Sequence, residues 1–213
     1  MILEQKRSAP ATAADGGINE RIGRHVRELR ASRGLTLDAL AAHCEVSRSM
    51  ISLIERGEAS PTAVVLEKLS EGLDVPLASL FATRPEGAAP QPLVRRSEQA
   101  IWRDPESGYL RRNLSPPGWP SPIHLVEVHF PAGTRVAYEV RRERPFHQQL
   151  WVLEGRMDIA LGDTSHTLNA GDCLAFRLDR HLIFSNTSSR AARYVVVICD
   201  DDAMPASSHG AFE

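Results

Sequence analysis

The chain has 213 residues, 42% hydrophobic and 24% charged, with a formal net charge of −2. That composition is ordinary for a folded soluble protein of two small domains or one large one, and it excludes a nucleic-acid binder that works by bulk charge, though not one with a local basic patch. Three widely spaced cysteines, Cys44, Cys173 and Cys199, form neither a disulfide framework nor a zinc pattern, and there is neither a secretory signal nor an apolar run long enough to span a membrane. The expectation is a cytoplasmic protein.

In chain order, residues 1–17 are small and polar and read as a disordered tail. Asn19 can cap a helix running to Ser32, with Ile22, Val26 and Leu29 on one face. Arg21, Arg24, Arg27, Arg30 and Arg33 recur every three residues, so on a 3.6-residue helix they wind around the cylinder and form no single stripe. Some of them can reach phosphates while the rest stay solvated. Thr36 stands where an N-cap belongs, ahead of Leu37, Leu40 and Ala41 at i, i+3, i+4. Ser47 caps a third helix that Val46, Ile51 and Ile54 anchor, which leaves Arg48, Ser49, Ser52 and Leu53 facing outwards near its start. Gly57 supplies a left-handed C′ position after Glu55-Arg56.

Pro61-Thr62 opens a fourth helix with Val65, Leu66 and Leu69 inward and Gly72 as its stop, and Pro76 opens a short fifth through Leu80 and Phe81. Five helices in residues 18–83 make one compact bundle. Residues 84–98 read as a linker, Pro/Gly/Ala-rich and extended at its start. From there to residue 200 the chain is a series of short alternating or apolar runs, separated by turns such as Pro-Ala-Gly at 131–133 and Asn-Ala-Gly-Asp at 169–172. Strands at that spacing imply an all-β barrel or sandwich over 99–200, with 201–213 as a tail. The fold class expected is multidomain, α followed by all-β.

A helix with a dry back and Arg and Ser on its leading edge suits a major groove, where such side chains hydrogen-bond base edges. The run V-S-x-x-x-I-S-x-I-E-R-G at Val46–Gly57, with Pro61-Thr62 after it, resembles the helix-turn-helix of phage-repressor-like (XRE-family) regulators. One departure is Glu45, where that family usually has a glycine at positive φ, a substitution costing about 1 kcal/mol. The later stretch is similar to the cupin domain, a jelly-roll barrel. Leu153-Glu154-Gly155, the L-x-A-G-D turn at Leu168–Asp172 and the H-x-x-x-x-N at His181–Asn186 carry that resemblance.

The resemblance implies a bacterial DNA-binding regulator with a cupin sensor. Arg48, Ser49 and Ser52 are expected on base edges, and Thr36 and Arg56 on phosphates, with Ser47 at the same helix start. The expected partners are a palindromic double-stranded DNA operator, a second copy of the chain and a small-molecule effector, with no membrane. A repressor is the expected sense of regulation.

Cupin enzymes usually hold a divalent metal with an H-x-H pair, a Glu and a late His. By that spacing the first three positions here are Arg142, Arg144 and Gln148, and only the late His181 is in place. Arginine cannot ligate a metal, and His147 with His181 alone would leave a loose site. No metal or other cofactor, no catalytic residue and no enzyme activity are therefore expected. Arg142 and Arg144 alternate with Glu143, so on a strand both face one side. If that side is the barrel interior, they form with His147, Gln148 and His181 a cationic effector pocket for a carboxylate or phosphate. RRER before Pro145 reads equally as an exposed loop. Two other functions stay open: a metal-dependent cupin enzyme with a DNA-binding head, and a constitutive DNA-binding dimer whose barrel is filled by side chains.

Overall fold

The computed structural model describes residues 13–81, 89–139 and 146–199. Arg142 and Arg144, together with residues 1–12, 84–88 and 201–213 of the expected tails and linker, lie outside the described residues.

The first helix, α1, spans Ala13–Ser32, so it starts before the expected cap. Asn19 lies within it, 8% exposed, and its Nδ2 donates to Ser60 Oγ at 3.2 Å. It ties α1 to the chain ahead of the fourth helix instead of capping anything. α2 (Leu37–Cys44) and α3 (Arg48–Glu55) follow, and each is capped as its sequence demands. Thr36 Oγ1 accepts from Ala39 N at 3.0 Å and Ser47 Oγ from Met50 N at 3.2 Å. Glu45 takes φ 53° and ψ 36° between the two helices, the left-handed conformation expected of it.

α4 (Ala63–Gly72) is capped by Thr62. Gly72 is its last residue and not its left-handed stop, since positive φ falls on Asp74. Glycine is needed at 72 for another reason: a Cβ there would lie 2.8 Å from Cys44 Cβ of α2. The expected fifth helix is a 3-10 turn, Leu77–Phe81, too short to build an α ladder. Ile22, Val26, Leu40, Ile51, Ile54, Leu66 and Leu69 fill the head's core, each under 2% exposed and each contributing roughly 1.5–3 kcal/mol of transfer free energy.

Among the described residues the second half forms ten antiparallel strands: β1 (Ile101–Arg103), β2 (Leu110–Asn113), β3 (Ile123–Phe130), β4 (Arg135–Tyr138), β5 (His147–Glu154), β6 (Arg156–Leu161), β7 (Thr164–Asn169), β8 (Cys173–Arg177), β9 (Leu182–Ser185) and β10 (Ala192–Cys199). They form two sheets, ordered β1-β2-β3-β10-β5-β8 and β4-β9-β6-β7. Without β1 and β2 these are the two four-stranded sheets of a jelly roll, with neighbours distant in sequence lying side by side. β10 shows the period-2 burial that such a sheet needs: Tyr194, Val196 and Ile198 are buried, and Val195, Val197 and Cys199 are only partly so. The expected turn at Gly155 is present at φ 78°, where a Cβ would sit 2.8 Å from Ala191 O. Asn186 is 1% exposed and bridges loops, donating to Arg190 O at 2.8 Å. Its place in the H-x-x-x-x-N signature is thus structural.

The head packs directly on the barrel. Asp104, at the end of β1, accepts from the Ala63 N–H at the start of α4 at 2.9 Å, a buried contact that caps the helix from the other domain. Phe81 of the head meets Trp102 of β1 with ring centroids 5.6 Å apart. From there aromatic rings continue inward through Tyr109, Phe130, Tyr194 and Phe184 to Tyr138, with centroid separations of 5.8–6.3 Å.

Candidate nucleic-acid interface and barrel cavity

α3 has the two faces its sequence requires. Ile51 and Ile54 are buried with Val46, whereas Ser47, Arg48, Ser49 and Met50 are exposed and Ser52 is half-buried. Two contacts hold it in place from behind. Gly23 of α1 lets the backbones touch, because a Cβ there would come within 2.0 Å of Ile54 O. Arg30 grips both carboxylate oxygens of Glu55 at 2.6 and 2.9 Å, and donates to Leu35 O at 2.8 Å. Glu55 therefore serves to fasten α3 to α1, and its hydrogen bonds raise the Arg30 pKa. This takes Arg30 out of the set of arginines free for phosphate, while Arg21, Arg24, Arg27 and Arg33 stay exposed.

The structure brings Thr36, Ser47, Arg48, Ser49, Ser52 and Arg56 onto the two short helices and their turns. Arg48 reaches back to Asp38 of α2 at 3.2 Å, with both side chains mostly exposed. An exposed pair of this kind is worth about 0–1 kcal/mol, so the guanidinium can exchange it for a base edge. Arg56 donates to both oxygens of Glu58 at 2.9 and 2.8 Å and to Ser52 Oγ. Its use on a phosphate requires release from that carboxylate.

The effector-pocket residues are dispersed. On β5, Gln148 faces the barrel interior, whereas His147 is exposed on the opposite side of the strand, paired in register with Cys199. His181 is exposed just before β9 and does not line the cavity. Neither His147, turned outward because adjacent strand residues face opposite sides, nor His181 therefore joins Gln148 in the cavity. Among the described residues no three His, Cys, Asp or Glu side chains come together as a metal site would need. Among the described residues, Gln148 alone makes no site for a divalent metal.

The interior contains a cavity of about 60 Å³, roughly the share of two waters. Aromatic and aliphatic side chains, Val128, Leu182, Val196 and Ile198 among the latter, fill the rest. Burial pushes the Tyr109 phenol up to about 12 and those of Tyr138 and Tyr194 well above their ordinary value. Tyr109 and Tyr138 oxygens lie 3.3 Å apart. The cavity's other polar lining comes from Arg111 and Glu67. Arg111 on β2 is 7% exposed, with Nε and Nη2 buried and lacking a hydrogen-bond partner, and its guanidinium stacks 5.2 Å over Phe81. Glu67 of α4, 6% exposed, enters the same cavity from the head. Arg111 belongs to Gly108–Ser115, whose polar residues amid strand signals suit either a pocket lining or a dimer interface by sequence alone. Glu67 looks like any solvated helix position.

Comparison with known proteins places these features. The helix-turn-helix family matches residues 26–80. Over 172 residues, 79% of this chain and 89% of the relative, the chain is 27% identical to the HTH-type transcriptional regulator SutR of Escherichia coli. Over 61 residues, 28% of this chain and 40% of the relative, it is 41% identical to the HTH-type transcriptional regulator SlrR of Bacillus subtilis, a likeness of the length of the head alone. The crystal structure of an HTH_3 family transcriptional regulator from Vibrio cholerae superposes with a TM-score of 0.71 at 25% identity, covering 87% of this chain and 98% of that one. The chain thus joins a helix-turn-helix domain over residues 26–80, similar to those of transcriptional regulators, to a two-sheet jelly-roll barrel.

Proposed function

We propose that this chain is a sequence-specific repressor that binds a palindromic operator as a homodimer and whose cupin domain takes up a small-molecule effector. The observation that carries the reading is α3: a helix buried along Ile51 and Ile54, capped by Ser47, with Arg48, Ser49 and Ser52 on its open side. Those three read base edges in the major groove, while Thr36 at the start of α2 and Arg56 after α3 hold phosphates. One such helix covers too few base pairs to stand out among ~10⁶ competing genomic sites, and two-fold symmetry doubles the reading. The barrel's six-stranded sheet supports a dimer, since its outer face carries exposed Ile123, Leu125 and Trp151 around half-buried Val195 and Val197. The work is that of a cytoplasmic protein.

The small cavity favours a second reading, a constitutive dimer whose barrel serves only as a clamp. One experiment separates them: selection of bound sequences from a random DNA pool by the full chain, then mobility shift on the consensus with candidate metabolites. A palindrome whose binding responds to a metabolite is expected. A palindrome indifferent to all of them supports the clamp, and no enriched sequence overturns the regulator.

A further inference from the structure

Space of ligand size lies outside the barrel, in a groove of about 1030 Å³ at the seam between head and barrel. The two domains line it with different chemistry. α1 of the head contributes Arg21, Arg24 and His25. The barrel contributes Pro116, Pro117, Trp119, Ile123 and Leu125, and the last three are exposed. Two acids also reach the groove, but each has a partner close by. Glu28 pairs with His25 Nδ1 at 3.4 Å, and Glu98 accepts from the Arg95 N–H at 2.8 Å. The arginines are less committed. Among the described residues Arg21 donates from Nε alone, to Gly17 O at 3.3 Å, and Arg24 makes no hydrogen bond or ion pair. Uncommitted guanidinium groups on one domain and apolar rings and branched chains on the other suit an amphipathic anion. The cations hold its charge through paired hydrogen bonds, and the apolar side takes its body out of water.

We propose that this groove binds a small aromatic carboxylate, with Arg21 and Arg24 on its carboxylate and Trp119, Ile123 and Leu125 against its ring. The exposed indole of Trp119 is what favours a ring over an aliphatic chain, because aromatic pairs gain beyond the area they bury. The proposal rests on the reading of the chain as an effector-responsive regulator. It places the effector at the seam, since the barrel's own cavity of about 60 Å³ is too small for it. The same stretch of α1 is joined to the DNA-reading helix. Gly23, buried between the two exposed arginines, has Ile54 O of α3 where its Cβ would be, and Arg30 further along holds Glu55. α1 therefore cannot shift against the barrel without carrying α3. A ligand that touches both domains fixes the angle of head on barrel and binds that arrangement better than any other. That is the differential affinity regulation requires.

The test uses the full chain and two probes of one shape, 2-naphthoate and the neutral 2-naphthamide, in calorimetric titration at constant sodium chloride. Naphthoate is expected to bind about ten-fold more tightly than the amide. The double variant Arg21→Gln/Arg24→Gln is expected to bind both probes alike, at the strength of the amide. Trp119→Ala is expected to weaken both probes about ten-fold and to keep the preference for the carboxylate. The three side chains are exposed, so their replacement leaves the core intact. Equal binding of the two probes by wild type overturns the site, as does a preference for naphthoate that survives in the double variant. Binding of neither probe also overturns it and leaves the groove to a second copy of the chain. Coupling is read by mobility shift on the selected consensus, where naphthoate is expected to change the operator affinity of wild type about five-fold. An operator affinity that naphthoate leaves unchanged, with the calorimetric pattern as expected, overturns the coupling to α3. Failure to select any DNA sequence overturns the regulator reading separately, and calorimetry then decides the site by itself.

Discussion

Arg48 and Gly23 show how differently two residues can serve one helix. Arg48 stands on the open side of α3 with only an exposed pair to Asp38 to release. Arg48→Ala is expected to lose about 1–3 kcal/mol at one operator position while leaving others untouched, which selection of bound sequences by the variant would read. Equal weakening on all sequences would instead make Arg48 a phosphate contact. Gly23 touches no DNA, but Ile54 O occupies the place of its missing side chain. Gly23→Ala would gain roughly 0.5–1 kcal/mol of helix propensity, yet the clash must push α1 and α3 apart. A lower melting temperature is expected, together with weaker DNA binding, because α3 shifts with its support.

At the scale of elements, the turn from α2 to α3 carries a removable strain. Glu45 sits at φ 53° with its side chain exposed, where glycine would be free of the Cβ conflict. Glu45→Gly is expected to stabilise the chain by up to about 1 kcal/mol, measured by denaturant unfolding, with no change in operator sequence. In the barrel, Asp158 of β6 fastens its strand to Thr167 of β7 and to Thr187 after β9, both at 2.7 Å, with Arg156 beside it. Those hydrogen bonds hold its carboxyl below the ordinary carboxylate value. A depressed folded pKa means stabilisation that is full above the unfolded value and lost as pH falls through the folded one. Wild type should therefore exceed Asp158→Asn in melting temperature at neutral pH, and the gap should close on acidification below the carboxylate range.

For the whole molecule, the apolar outer face of the six-stranded sheet is expected to be where two copies meet. Trp151, 51% exposed at its centre, is the residue to change. Trp151→Glu places a charge that a dry interface cannot hydrate, and sedimentation should show the variant as monomer at concentrations where wild type is dimer. Operator affinity should fall with it, as each half-site is then bound alone. A Trp151→Glu variant that stays dimeric would move the interface to another face.

Local rules sufficed for much of this molecule. The caps at Thr36 and Ser47, the start of α4 at Pro61-Thr62, the left-handed turns at Glu45 and Gly57, and the alternation along β10 are set by contacts within a few residues, so pattern alone identified them. The V-S-x-x-x-I-S-x-I-E-R-G run could be read because its apolar spacing is itself the helix geometry. Where local rules offered two roles, tertiary contact chose. Asn19 can cap, but Ser60 claims it; Gly72 can end a helix, but Cys44 requires it small. The cavity lay furthest from reach. His147 and Gln148 are adjacent in the chain and face opposite sides of β5, and the register of β5 against β10 decides which one looks inward. Glu67 and Arg111 are ordinary surface residue types, one on a helix and one on a strand. Only the docking of α4 over the barrel removes both from water, and the cost of burying a charge, which depends on what packs against it, has no trace in the order of residues.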